Sequence, residues 1–170
     1  MLLNIKTKWY IYTKVMDHNI EAPSKISCNE FVKGDLMDYQ DVYRFGKSVD
    51  ILTIEIENVN THALSDLEKE GIKVYPQPNI IKTIQNKCSQ KEFYKKNKIP
   101  TAQFKLFDSK DKLKDEVARG LVSFPFVWKS ESMGYDGFGV KIVRSNQDLE
   151  EVSPGACLAE ELVNIDKELG

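Results

Sequence analysis

Short apolar runs alternate along the chain with segments whose apolar residues recur at helical spacing, and this alternation predicts its elements. Ile11 to Met16 reads as a strand ending at Asp17, and Glu30-Phe-Val-Lys33 as a second strand before Gly34 and Asp35. Asp38 to Gly46 carries helical spacing, with Val42 and Phe45 on one face. Val49 to Ile56 is mostly β-branched or leucine and reads as a buried strand. Thr61 to Glu70 predicts a helix closed by Gly71, and Ile72 to Tyr75 a strand stopped by Pro76 and Pro78. Strand and helix in succession predict an α/β fold built on a parallel sheet.

After Pro78 the texture changes. Ile80, Ile81, Ile84, Cys88, Phe93 and Tyr94 recur at helical spacings between polar residues over Asn79 to Asn97. Ile99 to Phe107 looks extended, Ser109 to Arg119 helical, and Phe124 to Trp128 a strand with Val140 to Val143 as its hairpin partner. A short helix over Asn146 to Glu151 and a strand over Cys157 to Leu162 follow. Pro76 to Pro78 therefore marks a boundary between two lobes, 1–78 and 79–170, with a cleft expected between them. No internal repeat or low-complexity segment is present.

Composition narrows the chemistry. In 170 residues, 41% hydrophobic and 10% aromatic content is enough for a core. The formal net charge of −2 supplies no global basic field for nucleic acid or an anionic membrane, so any anion binding must be local. Cys28, Cys88 and Cys157 are widely spaced without a Cys-x-x-Cys pair, which argues for reduced thiols in a cytoplasm and against a disulfide framework or a zinc site. No run of about 18 apolar residues is available to span a membrane, and no apolar leader with a small-residue cleavage site opens the chain.

Four places carry candidate chemistry. Phe126, Val127 and Trp128 predict a buried strand with Lys129 emerging at its end, and Gly134, Gly137 and Gly139 free the following backbone to approach an anion. The same glycines, with Asp136-Gly137, also suit a plain hairpin turn. The loop is neither a Walker A motif nor a dinucleotide fingerprint. In Asp50-Ile-Leu-Thr-Ile-Glu-Ile-Glu57, Glu55 and Glu57 fall at the C-terminal end of a predicted buried strand, where strand alternation would put both on one face. A solvated strand end is the equally simple reading. Glu160 and Glu161, with Asp166 and Glu168, follow a short apolar strand and suit either a ribose and nucleobase site or a solvated acidic face. Lys87 reads as one lysine of a polar helix face, and His18 and His62 as surface histidines.

In order, these segments resemble 5-(carboxyamino)imidazole ribonucleotide synthase, the ATP-grasp ligase family of purine biosynthesis. The resemblance rests on Thr53-Ile-Glu-Ile-Glu-Asn-Val59, Val74-Tyr-Pro-Gln-Pro78, Ile84-Gln-Asn-Lys-Cys-Ser-Gln-Lys-Glu-Phe93 and Ile99-Pro-Thr101. It continues in Phe126-Val-Trp-Lys129, Gly134-Tyr-Asp-Gly-Phe-Gly139 and Ala159-Glu-Glu-Leu-Val163. The glycine loop is the most diagnostic, because the related formate-dependent glycinamide ribonucleotide transformylase has a Ser/Gly/Lys-type loop there. The implied fold is a partial, Rossmann-like pre-ATP-grasp lobe with a parallel sheet, followed by the small α+β lobe of an ATP-grasp domain.

The implied activity joins ATP and bicarbonate to carboxyphosphate and passes its carboxyl group to the amine of 5-aminoimidazole ribonucleotide. By matching position, Lys87 and Lys129 would hold the ATP phosphates, with Gly134, Gly137, Phe138 and Gly139 folding over them. Glu160, Glu161, Leu162 and Val163 would line the adenine, and Glu168 would take the ribose hydroxyls. Tyr135 and Asp136 would face the aminoimidazole and the carboxyl-transfer site, and Glu57, with Glu55, would contact the substrate from the first lobe. The family implies Mg2+, a homodimer of the full-length enzyme, and a cytoplasmic location.

The chain also departs from the family pattern. The family begins with a strand and a Gly-Gly-Gly-Gln-Leu-Gly-Arg-Met-type phosphate loop, with whose end Met1-Leu-Leu3 aligns, and it continues past Gly170 to its Glu and Asn metal ligands. The chain therefore resembles an internal piece, expected to show little ligase activity alone and to be marginally stable because a sheet edge lacks its neighbour. Phe138 stands where many members carry Arg or Lys, and Glu131 places an acid near the phosphates. A non-catalytic nucleotide-binding module and a different ATP-grasp ligase are the competing readings.

Overall fold

A computed structural model describes residues 11–132 and 139–167, and these fall in two compact units, Met1–Lys82 and Thr83–Gly170. In the first unit, β1 (Lys14–Asp17) pairs parallel with β2 (Glu30–Lys33), and β3 (Ile51–Thr53) pairs parallel with β4 (Lys73–Tyr75). A 3-10 turn at Pro23–Ser27, which the apolar pattern does not announce, links β1 to β2. Helices α1 (Tyr39–Gly46) and α2 (Thr61–Lys69) flank β3 in the chain, and α3 (Pro78–Gln85) follows β4. Among the described residues each strand pair is a separate two-stranded sheet.

Local chemistry sets these boundaries. The Asp38 and Asn60 side chains accept from the Asp41 and Ala63 amides, so each caps the helix that follows. Helix α2 closes where Gly71, at φ 91°, lets its own N–H reach the Glu68 carbonyl and the Ile72 N–H reach the Leu67 carbonyl. The predicted strand Val49–Ile56 shrinks to three residues of exposed–buried–exposed pattern, with only Leu52 buried. Its partner β4 ends at Tyr75, and Pro76 has no N–H to extend the ladder, so the last rung is Ile54 N–H to the Tyr75 carbonyl at 2.9 Å.

The first core gathers Val42, Leu52, Ala63, Leu64, Leu67 and Val74 around the α1–α2 contact. Gly46 ends α1 directly against it: a methyl group there would stand 2.2 Å from Cδ1 of Leu67, whose side chain is fully enclosed. Gly46→Ala is therefore expected to destabilise the chain by about 1–3 kcal/mol through overpacking, although alanine is the better helix former. Urea unfolding followed by far-UV circular dichroism tests this, and an unchanged or raised midpoint would refute it.

In the second unit, α4 (Lys87–Lys96) precedes β5 (Phe104–Phe107), and α5 (Lys110–Ala118) leads to β6 (Phe126–Ser130). Strand β7 (Val140–Val143), α6 (Asn146–Glu150) and β8 (Cys157–Glu161) complete it. The expected helical stretch Asn79 to Asn97 is two helices because Asn86 breaks it, its side chain accepting from the Ser89 amide to cap α4. Ser109 and Ser145 cap α5 and α6 in the same way. The extended stretch from Ile99 becomes a strand only at Phe104, and β6 starts after Pro125, which has no N–H for the ladder.

The four strands form one antiparallel sheet in the order β5-β8-β6-β7, so the last strand in sequence lies centrally. Alternation divides its faces. Phe126, Trp128, Val143 and Cys157 join Leu113 of α5 and Leu149 of α6 in the second core. Val127, Lys129, Leu158 and Glu160 therefore share the opposite face, over which α4 lies.

Candidate functional site

The α4-covered face of the second sheet holds the charged cluster. Lys129 is not a strand terminus, as the apolar run predicts, but a paired residue opposite Val140 on β7 and Leu158 on β8. The pairing runs further because the Ser130 N–H donates to the Gly139 carbonyl at 2.8 Å, which closes the hairpin one residue beyond Lys129. Glu160 stands diagonally across from Lys129, and its Oε2 lies 3.2 Å from Lys129 Nζ. A second ammonium reaches the same oxygen: Lys91 Nζ, from α4, at 2.9 Å.

Lys91 and Glu160 are nearly enclosed, at 8% and 11% side-chain exposure, whereas Lys129 is 27% exposed. Glu160 Oε2 is buried and neither ammonium is aligned on it for a directed hydrogen bond, so the contact is ionic. Lys91 is further held by Thr101 Oγ1, 2.5 Å away, and by the Phe104 ring, whose centroid lies 5.6 Å from Nζ. Two cations on one carboxylate leave a net positive charge on this face, at its more exposed member. That suits an anion.

Lys87 is brought to the same end of the sheet. It is the first residue of α4, and its backbone N–H donates to the Glu131 carbonyl at 2.8 Å, while the Glu131 N–H donates to the Ala156 carbonyl at 3.0 Å. The chain leaving β6 is thereby tied to the N-terminal end of α4, where helix dipole and lysine both favour negative charge. Glu161 is exposed, and its N–H donates to the Gln103 carbonyl at 2.8 Å. Leu162 is half-buried and Val163 exposed in the extended segment after β8. Gly139 sits at φ 73°, a backbone conformation glycine adopts freely.

Not every predicted site residue falls in this cluster. Gly134, Tyr135, Asp136, Gly137, Phe138 and Glu168 lie outside the described residues. Glu55 and Glu57 belong to the first unit, in the bend after β3, where both are exposed. The expectation that strand alternation sets both on one face is corrected here, because the strand has ended at Thr53. Lys91 is the residue that sequence reasoning overlooked. It shares a polar segment with Lys87, and its one signal is spacing: it stands a helical turn beyond Lys87, on the side of α4 that also buries Cys88.

Other chemistry is weaker. Burial pushes the Cys88 thiol up to about 11 and raises that of Cys157 as well, which disfavours in both the thiolate that a nucleophile requires. His18 and His62 are exposed. Among the described residues no group of three or more His, Cys, Asp or Glu has the arrangement to hold a metal ion. No described helix is long and apolar enough to cross a membrane.

A parallel α/β unit followed in the chain by an antiparallel sheet with lysines on one face is consistent with the ATP-grasp class of proteins. Sequence comparison agrees: residues 1–85 match the ribonucleotide synthetase pre-ATP-grasp domain and residues 92–170 the ATP-grasp domain, and the chain belongs to this ribonucleotide synthetase family. It is 31% identical over 156 residues to the phosphoribosylaminoimidazole carboxylase of Candida glabrata, which covers 89% of this chain and 27% of that protein. A carboxyaminoimidazole ribonucleotide synthase from Aspergillus clavatus, solved with ATP, superposes with a TM-score of 0.81 at 31% identity, over 98% of this chain and 44% of that one. An N5-carboxyaminoimidazole synthase from the same organism, solved with ADP and 5-aminoimidazole ribonucleotide, gives a TM-score of 0.80 at 27% identity over the same shares. The chain thus spans less than half the length of these relatives.

Proposed function

We propose that the chain is the nucleotide-handling part of an ATP-dependent carboxylating ligase of purine biosynthesis, with 1–78 as a partial pre-ATP-grasp domain and 79–170 as a partial ATP-grasp domain. The reaction is the conversion of 5-aminoimidazole ribonucleotide, bicarbonate and ATP to 5-carboxyaminoimidazole ribonucleotide, ADP and phosphate. The carrying observation is the Lys129–Glu160–Lys91 cluster on an ATP-grasp sheet whose relative was solved with ATP. The relative solved with ADP and aminoimidazole ribonucleotide supports the choice of acceptor. The reading places the protein in the cytoplasm, where unpaired Cys28, Cys88 and Cys157 are at home, and the assembled enzyme as a homodimer.

In this reading a bicarbonate oxygen attacks the γ-phosphorus of ATP, the bond to the bridging oxygen breaks, and ADP leaves. The acceptor amine then attacks the carboxyl carbon of carboxyphosphate, the bond from that carbon to the phosphate oxygen breaks, and inorganic phosphate departs with the proton that the amine gives up. Lys87 and Lys129 supply fixed positive charge where the phosphates gather negative charge, the largest service a protein gives to phosphoryl transfer. Gly134, Gly137, Phe138 and Gly139 form the loop over the phosphates, and Glu160, Glu161, Leu162 and Val163 the adenine edge, with Glu168 on the ribose. Tyr135, Asp136, Glu55 and Glu57 serve the acceptor.

Lys129→Ala is expected to weaken ATP binding by about 10–100-fold, the equivalent of one charged hydrogen bond of roughly 1.5–3 kcal/mol. Calorimetric titration of the full chain with ATP measures it. An affinity equal to that of the unsubstituted chain would exclude Lys129 from the nucleotide site.

A further inference from the structure

Lys91 is a buried cation to which the reaction assigns no role. Its surroundings specify what it does. Its ammonium and that of Lys129 share one carboxylate oxygen, at 2.9 and 3.2 Å, and the two differ in access to solvent, 8% against 27% side-chain exposure. Lys91 cannot readily leave, because Thr101 Oγ1 and the Phe104 ring hold it from α4's side of the sheet. The cluster therefore contains one fixed cation, one fixed anion and one cation that is only partly enclosed.

We propose that Lys91 is a positioning residue for Lys129: by neutralising Glu160 from the buried side, it keeps the Lys129 ammonium from full commitment to that carboxylate and leaves it available to a phosphate. This inference rests on the nucleotide reading above. Without Lys91, Glu160 would face Lys129 alone in a poorly solvated setting, where a one-to-one ion pair is strongest, and the pair would hold Lys129 on the sheet. With Lys91 present, the attraction of the single carboxylate is divided, and repulsion between the ammonium groups favours displacement of the more exposed one. Lys91 acts on the ligand only through Lys129. Its own ammonium need not touch nucleotide.

Competitive acylation of the full chain with acetic anhydride, read at Lys129 by mass spectrometry against exposed lysines as internal standards, tests the linkage directly. A carboxylate that holds an amine in its charged form suppresses acylation, so Lys129 labelling is expected to fall about tenfold in Lys91→Met and to be preserved in Lys91→Arg. In the double variant Lys91→Met/Glu160→Gln the restraining carboxylate is gone, and labelling should exceed that of the unsubstituted chain at least about twofold. Lys91→Gln, which removes the charge but keeps a polar group beside Glu160, decides the matter should Lys91→Met fail to fold, with the same fall in labelling expected. Labelling of Lys129 in Lys91→Met, or in Lys91→Gln, equal to that of the unsubstituted chain would overturn the proposal, since a merely structural Lys91 leaves Lys129 reactivity where it was while Glu160 remains. ATP is then added to the unsubstituted chain. Protection of Lys129 supports the nucleotide reading, whereas no protection alongside the expected variant shifts overturns that reading and leaves the Lys91–Lys129 linkage supported.

Discussion

Glu160→Ala is expected to lower the stability of the chain by about 3–5 kcal/mol, because it strands a buried ammonium with no countercharge. Lys91 sits at 8% side-chain exposure with its Nζ 2.9 Å from Glu160, and Thr101 supplies a neutral oxygen that cannot replace a carboxylate. Lys129, at 27% exposure, can turn toward water once its partner is gone, so the loss falls on Lys91. The contrast with the exposed ion pairs is informative. Removing the carboxylate from Lys112–Asp108, whose side chains are 62% and 85% exposed, should change stability far less. Urea unfolding of both variants measures the difference directly, and equal midpoints for Glu160→Ala and Asp108→Ala would refute the claim that burial makes the Lys91–Glu160 contact consequential.

Trp128→Ala should cost a similar amount, about 3–5 kcal/mol, for a different reason. Trp128 is 3% exposed at the centre of the second core, among Phe107, Leu113, Phe126, Val143 and Leu149. Truncation would leave a void walled by two helices and the sheet, which alternation and antiparallel register hold in place, so little of it can be filled by collapse. Its indole N–H lies against the Cys157 sulfur without a well-formed hydrogen bond. Trp128→Phe therefore forfeits volume and almost no polar contact, and its loss should be clearly smaller than that of the alanine variant. Thermal unfolding of the pair checks both statements. Because Lys129 follows Trp128 in the same strand, a loosened core is also expected to weaken nucleotide binding, in step with the stability loss.

Much of the second unit was legible from its residues. Phe126 to Trp128 form the predicted strand and Val140 to Val143 its predicted hairpin partner, whereas the pairing of Lys129 within the strand shows only in the sheet. Asp38 and Ser109, read as the first residues of helices, are their caps. The acidic pair at Glu55 and Glu57 lies beyond the end of the strand, because strand length is a property of two strands. Val49 to Ile56 has β-forming residues throughout, yet Tyr75–Pro76 on the neighbour ends the ladder after Ile54.

Glu160 shows the division most plainly. Its place in a strand, its alternation with Ala159 and its nearness to an acidic neighbour follow from local chemistry, because side-chain period and turn preference act over a few residues. That β8 enters between β5 and β6, bringing Glu160 diagonal to Lys129, depends on long-range pairing that no short segment encodes. Lys91 is the further case. In sequence it is an ordinary lysine of a polar helix, and only the packing of α4 on the sheet removes its water and makes a carboxylate obligatory. Charge type and spacing are local properties, whereas desolvation, which gives a charge its energetic weight, exists only once distant segments have met.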